Sequence, residues 1–88
     1  MVNWQVVLSR QANKDAKKIA LAGLKLQVTK LLELLAENPY STPPPYEKLV
    51  GNLQGFYSRR ISIQHRLVYR ILEKEKAVHV LRMWTHYE

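Results

Sequence analysis

The sequence predicts an α+β domain of order β-α-α-β-β-β, in which a helical pair packs on one face of a small antiparallel sheet. Three observations carry that prediction. Apolar residues recur at helical spacing through two stretches of the first half, a proline-rich connection follows, and from Phe56 the apolar period switches to two.

The elements follow in order. Val2 to Leu8 is β-branched and aromatic and alternates loosely, which predicts a first strand. Ser9 is a good N-cap for the next segment, where Ala12, Ala16, Ile19 and Ala20 repeat on one side and Lys14, Lys17 and Lys18 lie on the other. Gly23 interrupts the pattern and predicts a turn between helices. Leu24, Val28, Leu31 and Leu35, joined by Leu32 and Ala36, form the stripe of a second helix and read as core. Asn38-Pro39 ends that helix, because proline lacks the donor and disfavours the α region for its predecessor. Residues 41–45 then run extended as a connection rather than a domain linker. Phe56–Ile61, Arg66–Leu72 and Ala77–Trp84 read as three successive strands. The tight turn at Ser62-Ile63-Gln64 and the charged tip Glu73-Lys74-Glu75-Lys76 make them antiparallel neighbours.

Composition limits what such a chain can be. Eighty-eight residues make one domain, 1–88, with a single two-layer core. No cysteine is present, so disulfides and zinc–thiolate sites are excluded. The three histidines show no metal-binding spacing and the carboxylates are scattered, so neither metal nor cofactor is expected. No apolar run approaches the ~20 residues that cross a bilayer and strand-like sequence begins at once, so the reading is a soluble, cytoplasmic protein with no membrane partner. Fourteen Lys plus Arg against seven Asp plus Glu give a formal charge of +7, which favours a polyanionic partner.

The placement of that charge is more informative than its sum. The run from Gly51 to Tyr69 sets two arginine-bearing strands almost back to back, and planar, permanently charged guanidiniums on neighbouring strands suit a phosphodiester. Period two puts Leu67, Tyr69 and Ile71 on one face and Arg66, Val68 and Arg70 on the other. In the preceding strand Arg60 lies with Ser58 and Ser62, and Arg59 with Tyr57 and Ile61. If the leucine–tyrosine face meets the helices, Arg60 joins Arg66 on the open side, while Arg59 lies nearer an edge or in a salt bridge. Like charges directly opposite destabilise a sheet unless something offsets them. With Glu47 upstream and His86-Tyr87-Glu88 at the end, the chain holds a base, a phosphate clamp and an acid, the parts of metal-free RNA cleavage. His65 reads as a turn residue, His79 as structural, and Tyr57 as packing or a base-stacking platform.

The pattern Glu47-x4-Asn52-Leu53-x-Gly55-Phe56-Tyr57-Ser58-Arg59-Arg60-Ile61, followed by His65-Arg66-Leu67-Val68-Tyr69 and the terminal His86-Tyr87, resembles the YoeB/Txe family of RelE-superfamily toxins. The likeness is specific over roughly the C-terminal half and matches the front half in order and length only. It implies a small α+β fold and a ribosome-dependent, metal-independent mRNA endoribonuclease that inhibits translation. Position by position, it makes Glu47 the general base, Arg66 the phosphate-stabilising arginine and His86 the proton donor. Tyr87, Arg60, Arg59 and Lys48 become substrate-binding residues. Two departures stand out: Glu88 follows the tyrosine that ends the family's chain, and Val50 occupies a family lysine position, with Lys48 two residues away.

The chemistry implied is sufficient. RNA supplies its own 2′-hydroxyl nucleophile, so a base, charge stabilisation of the phosphorane and a proton for the departing 5′-oxygen complete the set. A glutamate with a reference pKa of about 4.3 needs burial or the ribosome to serve as base, whereas a histidine near 6.5 is suited to be the acid, chiefly in the substrate complex. The implied partners are an acidic YefM/Axe-like antitoxin, mRNA in the ribosomal A site, and operator DNA through the antitoxin; a homodimer is compatible. A second reading, a non-catalytic basic RNA- or DNA-binding module, needs the arginines but not Glu47 or His86. A third is a degenerate toxin acting only through its antitoxin.

Overall fold

The computed structural model describes residues 3–42, 45–62 and 65–83. Strand β1 (Gln5–Leu8) leads to helices α1 (Arg10–Leu21) and α2 (Lys25–Glu37). A two-residue strand β2 (Glu47–Lys48) and a 3-10 turn (Gly51–Leu53) follow, then β3 (Tyr57–Arg60), β4 (Arg66–Leu72) and β5 (Ala77–Arg82). The expected strand start at Val2, the centre of the proline bridge, the turn at Ile63-Gln64 and the strand end at Trp84 lie outside the described residues.

Local sequence accounts for the helices. Ser9 caps α1, its hydroxyl accepting the Ala12 N–H at 2.9 Å. The chain turns at Gly23, where the Gly23 and Leu24 N–H groups close the helix on Ala20 and Ile19 carbonyls. Asn38, in extended conformation, ends α2 before Pro39. Ala12 and Ile19 of α1 and Val28, Leu31 and Leu35 of α2 are buried against one face of the sheet. They meet Leu67 and Tyr69 of β4 and Val78 and Val80 of β5 in one core. Burying each large aliphatic of this set contributes roughly 1.5–3 kcal/mol.

The sheet is five-stranded and mixed, in the order β1-β5-β4-β3-β2. The last four strands are antiparallel neighbours, as the short connections require. The edge strand departs from the expected antiparallel sheet: β1 pairs parallel with β5, Gln5 opposite Ala77 through Leu8 opposite Val80. Both helices lie between β1 and the later strands in sequence, so β1 is free to join the far edge in either sense. The second unforeseen feature is β2, which makes the segment holding Glu47 the other edge of the sheet.

Candidate active site

Glu47 is placed by a local device. Its two-residue strand pairs with β3, Glu47 opposite Ser58 and Lys48 opposite Tyr57, and the Leu49 N–H extends the ladder to the Phe56 carbonyl at 2.9 Å. The chain reaches β3 through Gly51 and Gly55, whose φ values of +70° and +95° are ones that a side chain would strain. Leu49 is buried and anchors the strand. Sequence alone conceals this element, because two residues are too few to show a period.

From β3 and β4 come the arginines. The register sets Arg60 directly opposite Arg66 and Ser58 opposite Val68. Alternation then brings Glu47, Ser58, Arg60 and Arg66 to the face away from the helices, where with Pro45, Ile61 and Ser62 they line a cleft of about 540 Å³. Arg66 Nη1 donates to Glu47 Oε1 at 3.3 Å, with side-chain exposures of 25% and 69% respectively. Two opposed guanidiniums on one ladder repel each other, and Glu47 is the one carboxylate lining that cleft among the described residues. The excess positive charge on one concave surface suits a phosphodiester.

Arg59 requires a correction. It is 1% exposed and points into the helix side of the sheet, not into the cleft that Arg60 and Arg66 line. Nε donates to the Tyr69 hydroxyl at 3.0 Å, and Nη2 donates to the carbonyls of Pro39 and Ser41, each at 2.9 Å. Its guanidinium also lies 5.0 Å from the centre of the Tyr46 ring. The guanidinium thus fastens the connection after α2 onto β3, a strand inside the sheet and not at its edge. Burial pushes the Tyr69 phenol up, partly opposed by the charge and hydrogen bond of Arg59. Lys48 needs the same correction: it is the strand neighbour of Glu47, paired with the core-facing Tyr57, so the pleat turns it away from the cleft. Tyr57 itself packs between Tyr46 and Tyr69, with ring centres 5.6 and 5.9 Å away.

The remaining nominees divide. His65 holds the β3–β4 turn, its carbonyl accepting the Ile61 and Ser62 N–H groups at 2.8 and 3.2 Å. His79 pairs with Arg70 across the ladder and, with Phe56 and Val7, lines a second cleft of about 370 Å³. His86 and Tyr87 lie outside the described residues. Asp15 is a residue that the sequence reading missed. It is fully buried on α1, and its carboxylate accepts the Gln11 amide at 2.8 Å and the Met83 N–H at 3.1 Å, with Arg82 Nε 3.6 Å away. A signal existed: Asp15 stands three residues after Ala12 and four before Ile19, within the apolar stripe.

Comparison with known proteins agrees with this architecture. The family model for the ParE toxin of the type II toxin–antitoxin system parDE matches residues 6–88. A toxin YoeB of Mycobacterium bovis is 39% identical over 61 residues, covering 69% of each chain. Among solved structures, the YoeB/ParE toxin from Agrobacterium tumefaciens superposes with a TM-score of 0.84 at 25% identity, covering 94% of this chain and 99% of that one. The YoeB–YefM complex from Staphylococcus aureus superposes with a TM-score of 0.79 at 30% identity, covering 96% and 98%. The chain belongs to the ParE toxin family of type II toxin–antitoxin systems, as a YoeB-type toxin.

Proposed function

We propose that this toxin is a ribosome-dependent, metal-independent endoribonuclease that cuts mRNA in the ribosomal A site of the cytoplasm and so inhibits translation. The observation that supports the reading most directly is the Glu47–Arg66 pair at 3.3 Å, set in a cleft that also holds Arg60. In this mechanism Glu47 takes the proton of a 2′-hydroxyl, whose oxygen bonds to the adjacent phosphorus. Arg66 and Arg60 stabilise the dianionic phosphorane. The bond from phosphorus to the 5′-oxygen then breaks, and His86 delivers a proton to that oxygen. The products are a 2′,3′-cyclic phosphate, or the 3′-phosphate that follows it, and a 5′-hydroxyl. Tyr87 sets the substrate beside the acid.

An acidic antitoxin of the YefM type is the proposed partner, supported by the chain's charge of +7 and by the solved Staphylococcus aureus YoeB–YefM complex. Glu47→Ala, Arg66→Ala and His86→Ala, assayed on programmed ribosomes, are each expected to abolish growth arrest and to leave only a residual mRNA cleavage, about 10²-fold or more below wild type, while still binding antitoxin. Wild-type cleavage by all three variants would remove the mechanism.

A further inference from the structure

Ser58 presents a contradiction that the catalytic assignment leaves unresolved. It is 1% exposed, and no group among the described residues hydrogen-bonds its hydroxyl. A buried hydroxyl left unpaired is costly, and an alanine would fill the same space without that cost. Yet this hydroxyl belongs to the cleft that holds Glu47, Arg60 and Arg66. It is also the cross-strand partner of Glu47. Directly opposed residues on one face have Cβ atoms about 4.5–5.5 Å apart, which a glutamate carboxylate spans by a change of rotamer.

The contacts of Glu47 explain when that change would occur. Its one side-chain partner among the described residues is Arg66, at 3.3 Å, beyond the ~2.7–2.9 Å of a well-formed charge-assisted bond. The pair is loose, and Glu47 stands on an exposed edge strand. Arg66 is also the group assigned to the substrate phosphate, and a phosphodiester oxygen on that guanidinium competes with the carboxylate for the same donors. A carboxylate displaced from Arg66 needs another donor to hold it at the 2′-hydroxyl. On the ladder beneath it, Val68 is apolar and Ser58 is the residue directly opposite.

We propose that Ser58 is a positioning residue for the general base: substrate phosphate takes Arg66, and the released Glu47 carboxylate accepts the Ser58 hydroxyl. The exchange rests on the endoribonuclease reading above and gives it a substrate-triggered step. In the free chain Glu47 and Arg66 neutralise each other across the cleft. Only with phosphate bound is the base both unpaired from arginine and aimed. Ser58 touches no reacting atom and acts through Glu47.

The test is single-turnover cleavage of ribosome-bound mRNA over a range of toxin concentrations, run beside thermal melting. Ser58→Ala is expected to melt at or above the wild-type temperature and to lose roughly 10-fold in maximal rate, with half-saturation unchanged. Ser58→Thr, which keeps the hydroxyl, is expected to recover rate relative to Ser58→Ala. In the Glu47→Ala background, Ser58→Ala is expected to remove nothing more from the residual rate. A Ser58→Ala protein with wild-type maximal rate, or with a loss confined to half-saturation, overturns the inference alone. A further loss in the Glu47→Ala background does the same. A wild-type toxin that cuts no mRNA overturns the site reading, and the exchange with it.

Discussion

The carboxylate of Asp15 in α1 accepts the backbone N–H of Met83, one residue beyond the end of β5, at 3.1 Å. Together with Ser9, whose hydroxyl donates to the Leu81 carbonyl at 2.8 Å, it fastens the last strand to the first helix. Three residues later comes His86, so this fastening fixes where the chain leaves the sheet toward the proposed acid. Asp15→Ala leaves a buried N–H without its acceptor and is expected to destabilise by about 1–3 kcal/mol, read by chemical denaturation. Cleavage at a temperature where the variant stays folded is expected to fall as well.

Arg59 and Arg60 are adjacent in sequence and opposite in role. Arg59→Ala strips the donor from the Tyr69 hydroxyl and from two carbonyls, each costing about 1–3 kcal/mol when left bare, so the variant is expected to melt far below wild type or fail to fold. Arg60→Ala lies on the cleft and is expected to change stability by within about 0.5 kcal/mol. It should weaken RNA binding and reduce the salt slope of that binding by about one. Circular dichroism melts and binding titrations at several salt concentrations separate the two outcomes.

Glu47→Gln tests whether the Glu47–Arg66 pair serves stability or chemistry. Ion pairs this exposed contribute about 0–1 kcal/mol, so the melting temperature is expected to change little. Loss of a general base costs about 10²–10⁴-fold in rate. A large fall in mRNA cleavage with an unchanged melt is the expected result.

Tyr40 donates its phenol to the Glu73 carboxylate at the β4–β5 tip. That hydrogen bond, then burial, pushes its pKa from 10.0 up to about 12. A pKa raised on folding gives stability that is complete below the unfolded value and drains as pH rises toward the folded one. Denaturation midpoints are therefore expected to fall between about pH 10 and pH 12, the window set by the shift on Tyr40. In Glu73→Gln, absorbance titration is expected to find Tyr40 ionising nearer 10.

The helices, the three long strands and the opposite facing of Arg59 and Arg60 were all legible in the sequence. Each is written in a period, 3.6 or 2, that a few residues suffice to display. The facing of Arg60 and Arg66 with Ser58 needed nothing more than alternation and the assumption that Leu67 and Tyr69 meet the helices. Glu47 was legible as a residue but not as a strand position, and the role of Arg59 as an internal clasp was not legible at all. Its partners, the Pro39 and Ser41 carbonyls and the Tyr69 hydroxyl, lie 20, 18 and 10 residues away.

By itself the sequence determined the helical pair, the antiparallel run of β3, β4 and β5 from Phe56 onward and the face on which positive charge gathers, because local sterics and hydrophobic periodicity act within a few residues. The tertiary structure alone decided that β1 lies parallel to β5, that Asp15 holds Met83 and that Glu47 meets Arg66. Those outcomes depend on which distant segments are brought within hydrogen-bonding distance when the core closes, and no local pattern encodes that.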